Sequence, residues 1–233
     1  MFKLTRNELI DGSFRESLAM PAHLSLCDIE LDESVARLLA ARPEGPSWVF
    51  AYGSLIWNPA FTFDSKQVAK LDGWHRSFCI RTISARGSPR QPGRVLALEP
   101  GGQVEGLAYR LTESDLMAEL RLLWAREMGS GVYQPTWETL QLADGSVANA
   151  IVFVADSNQP LFECDASVPT VAHLAAKATG RLGSNAEYIL NLQDALRVQQ
   201  ITDDYVDAIA RELRSAHPAH VQSTAPIRPD TRA

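Results

Sequence analysis

From residue 74 to residue 154 this chain sets strand-like runs beside one another, with turn residues rather than helices between most of them. W74-H-R-S-F-C-I-R-T-I83 alternates loosely and reads as a strand, and R86-G-S-P-R-Q-P-G93 reads as a loop by composition. RVLAL (94–98) and QVEGLAYRL (103–111) flank E99-P-G-G102, which predicts a hairpin. TWETLQL (136–142) and VANAIVFV (147–154) flank A143-D-G-S146, and the D-G dipeptide predicts a second hairpin. Strands joined by short turns pair antiparallel, because a parallel pair needs a long crossover.

Helical spacing occupies both ends. Leu31, Val35, Leu38 and Leu39 predict a helix in an N-terminal arm that A41-R-P-E-G-P46 closes. TVAHLAAKATG (170–180), NAEYILNLQDALRV (185–198) and DDYVDAIARELRS (203–215) predict three helices near the C-terminus. One further helix, Thr112 to about Met128, interrupts the strands, with Thr112 and Asp115 as its capping pair. The order predicts an α+β protein and excludes a doubly wound parallel sheet. The expected organisation is a helical arm (1–45), one domain (46–215) and a disordered tail (216–233). No internal repeat occurs.

The formal net charge of −6 argues against nucleic acid or an anionic membrane as partner, since both select clustered Lys and Arg. No apolar run approaches the roughly 18 residues of a membrane span. The N-terminal stretch MFKLTRNELIDGSFRESL carries acids and lacks an apolar core, so it is no signal peptide, and a cytoplasmic location is expected. Cys27, Cys79 and Cys164 are odd in number and widely spaced, which fits reduced thiols and provides neither a disulfide frame nor zinc spacing. The five histidines also lack ligand spacing, so no metal is expected. Neither Cys79 nor Cys164 has an activating neighbour that would make it a nucleophile.

The helix T112-E-S-D-L-M-A-E-L-R-L-L-W-A-R-E127 holds one carboxylate where the core should be. With Leu116 at zero and about 100° per residue, Leu120, Leu123 and Trp124 form an apolar stripe and Glu127 falls at its centre. Glu119, Arg121 and Arg126 fall on the flanks or the back. Burial and the negative end of the helix dipole both raise a carboxylate pKa, which suits a general base. Gly129 and Gly131 follow and permit close approach. The competing reading is an ion pair with a core arginine, or a helix that frays before Glu127.

A second anomaly is W48-V-F-A-Y-G-S-L-I-W57, an apolar run broken only by Gly53-Ser54. Gly53 is expected at a backbone conformation closed to other residues, so that successive N–H groups and the Ser54 hydroxyl form an anion cradle. The competing reading is an ordinary tight turn. The pattern does not fit G-x-S-x-G, so no nucleophile elbow is indicated.

V49-F-A-Y-G-S-L-I-W-N-P59, P92-G-R-V-L96, G106-L-A-Y-R110, R126-E-M-G-S-G-V-Y133 and G183-S-N-A-E-Y188, in this order, resemble the ChaC family of glutathione-specific γ-glutamylcyclotransferases over about residues 45–215. The resemblance is strongest to its bacterial branch, which also carries an N-terminal arm. It implies a small mixed, largely antiparallel β-barrel with packed helices. It also implies cleavage of glutathione to 5-oxoproline and cysteinylglycine, without cofactor or metal. By the same resemblance Glu127 is the catalytic glutamate. The substrate loop matches Val49, Phe50, Ala51, Tyr52, Gly53, Ser54 and Leu55, and Arg76, Tyr133 and Tyr188 match substrate-facing positions. The chain departs from eukaryotic members in a one-residue-longer R126–Y133 segment and in Ala51, where glycine is common. The other activities compatible with this pattern are cyclisation of other γ-glutamyl amino acids or amines, and a non-catalytic role in cation transport.

Overall fold

The computed structural model describes residues 3–216. The tail expected from residue 216 lies outside them, apart from Ala216, which closes the last helix. Three helices make up the arm: α1 (Arg6–Ile10), α2 (Ser13–Leu18) and α3 (Asp28–Ala40). There follow β1 (Trp48–Ala51), β2 (Phe63–Thr82), β3 (Gly93–Leu111), α4 (Leu116–Glu127), β4 (Tyr133–Leu142) and β5 (Val147–Ala155). The chain continues through α5 (Val168–Ala175), the two-residue strands β6 (Thr179–Gly180) and β7 (Gly183–Ser184), α6 (Asn185–Val198) and α7 (Asp204–Ala216).

β1 to β5 close into a barrel in the order β1-β3-β2-β4-β5. Every pairing is antiparallel except β1 with β5, where Trp48 faces Ala150 and Val49 faces Ile151. The protein is therefore α+β with a mixed, largely antiparallel barrel, as the turn-linked strands require. Gly106 lets β1 approach β3, because a Cβ there would fall 2.4 Å from the Ala51 carbonyl oxygen.

The second expected hairpin, β4–β5 around Asp144-Gly145, is present. The first is not a hairpin. E99-P-G-G102 lies inside the continuous strand β3, with Glu99 paired to His75 and Pro100 to Trp74 of β2. Its glycines are used differently: Gly101 (φ 114°) and Gly102 (φ 73°) stand opposite Gly73 (φ 82°) at a register shift. Positive φ on both strands bends the ribbon without reversing it. The reversal occurs in the Pro-rich loop between β2 and β3, and β2 begins at Phe63, eleven residues before the alternation becomes visible.

α4 lies across the barrel and buries Leu116, Leu120, Leu123 and Trp124, the stripe that its spacing predicts. Trp124 packs edge-on against Phe153 at 5.2 Å, and its indole N–H donates to Ser34 Oγ of α3 at 3.1 Å. Truncating so buried a side chain costs about 3–5 kcal/mol. The expected Thr112–Asp115 cap does not form: Asp115 makes no capping bond, and the Thr112 hydroxyl donates to Asp64 instead. The arm is bound to α4 from outside, with Leu4, Leu9 and Phe14 clustered on Leu122. α7 buries Val206, Ile209, Ala210 and Leu213 at helical spacing.

Candidate active site

β1 runs buried to Ala51 and ends at Tyr52-Gly53, where a 3-10 turn (Ser54–Ile56) begins. The turn is held from several sides. The Ile56 N–H donates to the Gly53 carbonyl at 3.0 Å, and the Tyr109 hydroxyl lies 3.2 and 3.3 Å from the carbonyl oxygens of Leu55 and Ile56. Among the described residues the N–H groups of Gly53, Ser54 and Leu55 have no protein acceptor.

Gly53 has φ −129°, not the positive value expected, so its role is not access to left-handed backbone. A Cβ there would lie 3.7 Å from the Tyr188 hydroxyl and 3.6 Å from Leu96. Both are ordinary van der Waals contacts, so space does not require glycine here either.

The turn forms one wall of a cavity of about 1200 Å³. Ser54, Arg126, Glu127, Tyr133 and Tyr188 all line it, and Phe14 of the arm closes another side. Glu127 ends α4 with 16% of its side chain exposed, and its buried Oε1 has no hydrogen-bond partner. Arg126 Nε stands 2.9 Å away in ion contact. Burial pushes the Glu127 carboxyl above the ordinary glutamate range, and the Arg126 charge only partly opposes it. The core-arginine reading thus holds in part. The partner, however, is the adjacent residue, which also donates to Ser54 Oγ and to the Asn58 and Pro59 carbonyls.

Two buried tyrosines, Tyr52 and Tyr188, and the half-buried Tyr133 surround Glu127. Burial, with the Glu127 charge next, pushes the Tyr188 hydroxyl up to about 12. Burial likewise raises Tyr52 and Tyr133 well above the phenol range, so all three are neutral donors near pH 7. The Tyr133 hydroxyl donates to the Leu96 carbonyl at 2.9 Å, and the Tyr52 hydroxyl donates to the Phe153 carbonyl.

Several residues expected at the substrate have buried side chains. Val49, Phe50 and Ala51 are buried in the barrel wall, and Leu55 is in the core, so none offers a side chain to the cavity. Alternation cannot place a residue outside a barrel whose two faces are both covered. Arg76 lies behind the loop with 1% of its side chain exposed. It donates to the Tyr52 carbonyl at 2.8 Å, to the Glu105 carbonyl and to Asp203 at 2.9 Å. Its guanidinium supports the turn from the core and is not free to meet a ligand.

Two cavity residues escape the sequence pattern. Arg126 falls on the helix flank by angle, yet only 7% of its side chain is exposed. Arg86 sits in a segment that reads as loop, yet it is buried with its guanidinium 5.8 Å over the Tyr188 ring. The isolated R-E pair before M128-G-S-G131 was the available signal for Arg126; Arg86 left none. Cys79 is buried, and burial first, then Glu99, pushes its thiol up to about 12, which disfavours a thiolate nucleophile. Among the described residues no group of His, Cys, Asp or Glu is arranged to hold a metal ion, and no helix is long and apolar enough to cross a membrane.

A closed mixed barrel with a desolvated glutamate at the rim of a cavity defines a γ-glutamylcyclotransferase-like fold. A yeast γ-glutamyl cyclotransferase specific to glutathione superposes with a TM-score of 0.68 over 76% of this chain and 100% of its own; at 22% identity that shows the fold. Residues 47–216 match the family of ChaC-like proteins, and the chain belongs to that family. It is 47% identical over 194 residues to a glutathione-specific γ-glutamylcyclotransferase of Escherichia coli K12, covering 83% of this chain and 81% of the relative. It is 30% identical to the rat glutathione-specific γ-glutamylcyclotransferase 1, covering 77% and 84%. The whole arm, residues 1–45, precedes the family match.

Proposed function

We propose that this protein is a glutathione-specific γ-glutamylcyclotransferase, a lyase that converts glutathione to 5-oxoproline and cysteinylglycine. The observation that carries this reading is Glu127: a desolvated carboxylate with one oxygen unbonded, facing a cavity beside a turn with free N–H groups. The names of the relatives at 47% and 30% identity support the substrate.

The substrate's α-ammonium group transfers a proton to Glu127. The amine formed attacks the γ-carbonyl carbon of the same glutamyl group, which closes a five-membered ring. The nucleophile is already tethered to the carbonyl, so no enzyme nucleophile is needed. Negative charge that develops on the carbonyl oxygen is met by the Ser54 hydroxyl and the N–H groups of residues 53–55. Glu127 then returns its proton to the cysteinyl nitrogen as the C–N bond breaks, and the second proton, shed by the ring nitrogen, ends on the released amine, so that 5-oxoproline forms as a neutral lactam and cysteinylglycine leaves with an ammonium group. One carboxylate with an elevated pKa serves as base and then as acid. Tyr133 and Tyr188 wall the site as neutral donors, while Val49–Tyr52, Leu55 and Arg76 hold the turn from within.

Residues 46–215 form the catalytic domain in this reading and residues 1–45 an arm over the cavity. The free thiols of Cys27, Cys79 and Cys164 suit a reducing cytoplasm. The purified protein, given glutathione and separately γ-Glu-Ala, is expected to release 5-oxoproline far faster from glutathione. Equal release from both substrates would make it a general γ-glutamyl cyclase, and none from either would overturn the reading.

A further inference from the structure

We propose that Arg126 is the positioning residue of this site: one guanidinium holds the Glu127 carboxylate and the Ser54 hydroxyl together and aims the Ser54 proton into the cavity. This rests on the proposed cyclotransferase activity. Successive helix residues point about 100° apart, so Arg126 and Glu127 would ordinarily diverge. Here the Asn58 and Pro59 carbonyls accept from Nη1 and draw the guanidinium across the end of α4. Nε then lies 2.9 Å from Glu127 Oε1, and Nη2 donates to Ser54 Oγ at 2.8 Å.

The consequence for Ser54 follows from donor counting. A guanidinium only donates, and a hydroxyl has one proton. Ser54 Oγ accepts from Arg126, so its own proton must point elsewhere. Among the described residues that O–H has no acceptor, and Ser54 lines the cavity. The hydroxyl is thereby set as a donor to whatever oxygen occupies the site. The groups facing Glu127 are the hydroxyls of Tyr52, Tyr133 and Tyr188 and the Arg126 guanidinium, while Arg86 faces Tyr188. Of these only Arg126 brings positive charge to the carboxylate, and it favours the ionised, proton-accepting form.

Arg126→Gln, Arg126→Lys, Ser54→Ala, and Ser54→Ala combined with either Arg126 variant test this by kinetics across pH on the full chain. Arg126→Gln is expected to lower kcat/KM by roughly 10²-fold, at the low end of what a positioned acid–base group supplies, because it releases the Glu127 carboxylate as well as the Ser54 hydroxyl. It should also move the acid limb of the kcat profile to higher pH. Ser54→Ala alone should cost about fivefold, the worth of one hydrogen bond, with no movement of the limb. The Ser54→Ala/Arg126→Gln pair should lose little more than Arg126→Gln does. Arg126→Lys keeps a charge near Glu127 but cannot span both partners, so the limb should stay while the effect of Ser54→Ala shrinks. An unmoved limb in Arg126→Gln, with losses that multiply in the pair, overturns the proposal and leaves Arg126 as a fold support. If Arg126→Gln melts too early for assay, the Arg126→Lys result decides. ¹³C NMR titration of the Glu127 carboxyl, assigned by its loss in Glu127→Gln, reads the same shift without turnover. It separates this inference from the activity itself, whose failure would show as a wild type that forms no 5-oxoproline.

Discussion

Glu119 and Glu127 lie about two turns apart on α4, and both are withdrawn from water, yet their surroundings treat them oppositely. Glu119 has 2% of its side chain exposed and receives Arg6 through two hydrogen bonds, at 2.6 and 2.7 Å, plus the Thr62 N–H at 2.9 Å. Burial raises its carboxyl, but these bonds together win and hold it below the ordinary range. Among the described residues Glu127 has one charged neighbour, set beside it rather than aligned with it, and burial wins. Desolvation alone does not make a buried acid reactive; unsatisfied acceptor capacity does. The first end of the helix anchors the arm, and the last faces the cavity.

The sharpest way to break this comparison is Glu127→Gln. The amide keeps the shape but cannot take a proton from an ammonium group. Turnover of glutathione should fall by roughly 10²–10⁴-fold. The melting temperature should hold, since Arg126 keeps Ser54, Asn58 and Pro59 as acceptors. A mutant that melts much earlier yet turns over normally while folded would remove Glu127 from the chemistry.

Arg6→Ala probes the other end. It strands a buried carboxylate, which should cost about 2–3 kcal/mol, below the full figure for a buried pair because Arg6 keeps 38% of its side chain in water. Thermal unfolding should show a drop of several degrees, and Glu119→Gln a smaller one, since Arg6 can then turn to solvent. Turnover per folded molecule should change far less than in Glu127→Gln. A wild-type melting temperature with lost activity would erase the distinction between the two acids.

The smallest effect is in the pH dependence of stability, and its sign differs between the sites. Glu119 has a depressed folded pKa. Its contribution is present above the unfolded value, about 4.3, and is lost as pH falls through the folded value. The deficit of Glu119→Gln should therefore shrink on acidification. Glu127 has a raised folded pKa. Its contribution is complete below about 4.3 and is lost as pH rises through the folded value. The stability of Glu127→Gln relative to wild type should therefore improve from acid towards neutral pH. Denaturant midpoints at pH 3 and pH 7 check both, and two variants changing in the same direction would contradict the assignment.

Much of this is legible in the amino-acid sequence. The four predicted helices at the two ends, α3, α5, α6 and α7, the D-G hairpin and the apolar stripe of α4 are local periodicities, and each survived folding, although α5 stops at Ala175 and Thr179–Gly180 pairs as a short strand. Glu127 could be singled out because the helix angle is a property of the chain alone. E99-P-G-G102 misled because glycines that close a hairpin and glycines that bend a long ribbon are the same residues; the partner strand decides which occurs.

Chain order and spacing were enough to set the α+β class, the antiparallel bias and the single acid on the apolar stripe, because all three depend on contacts a few residues apart. Only tertiary structure could seat Arg6 on Glu119, 113 residues away, or bring Arg126 to Ser54 across 72. It alone turned Arg76 inward to Asp203, 127 residues on. The physical reason is that an ionised side chain takes its character from whichever charge and hydrogen-bond partners share its low-dielectric surroundings. Those partners arrive from distant strands and helices only when the barrel closes.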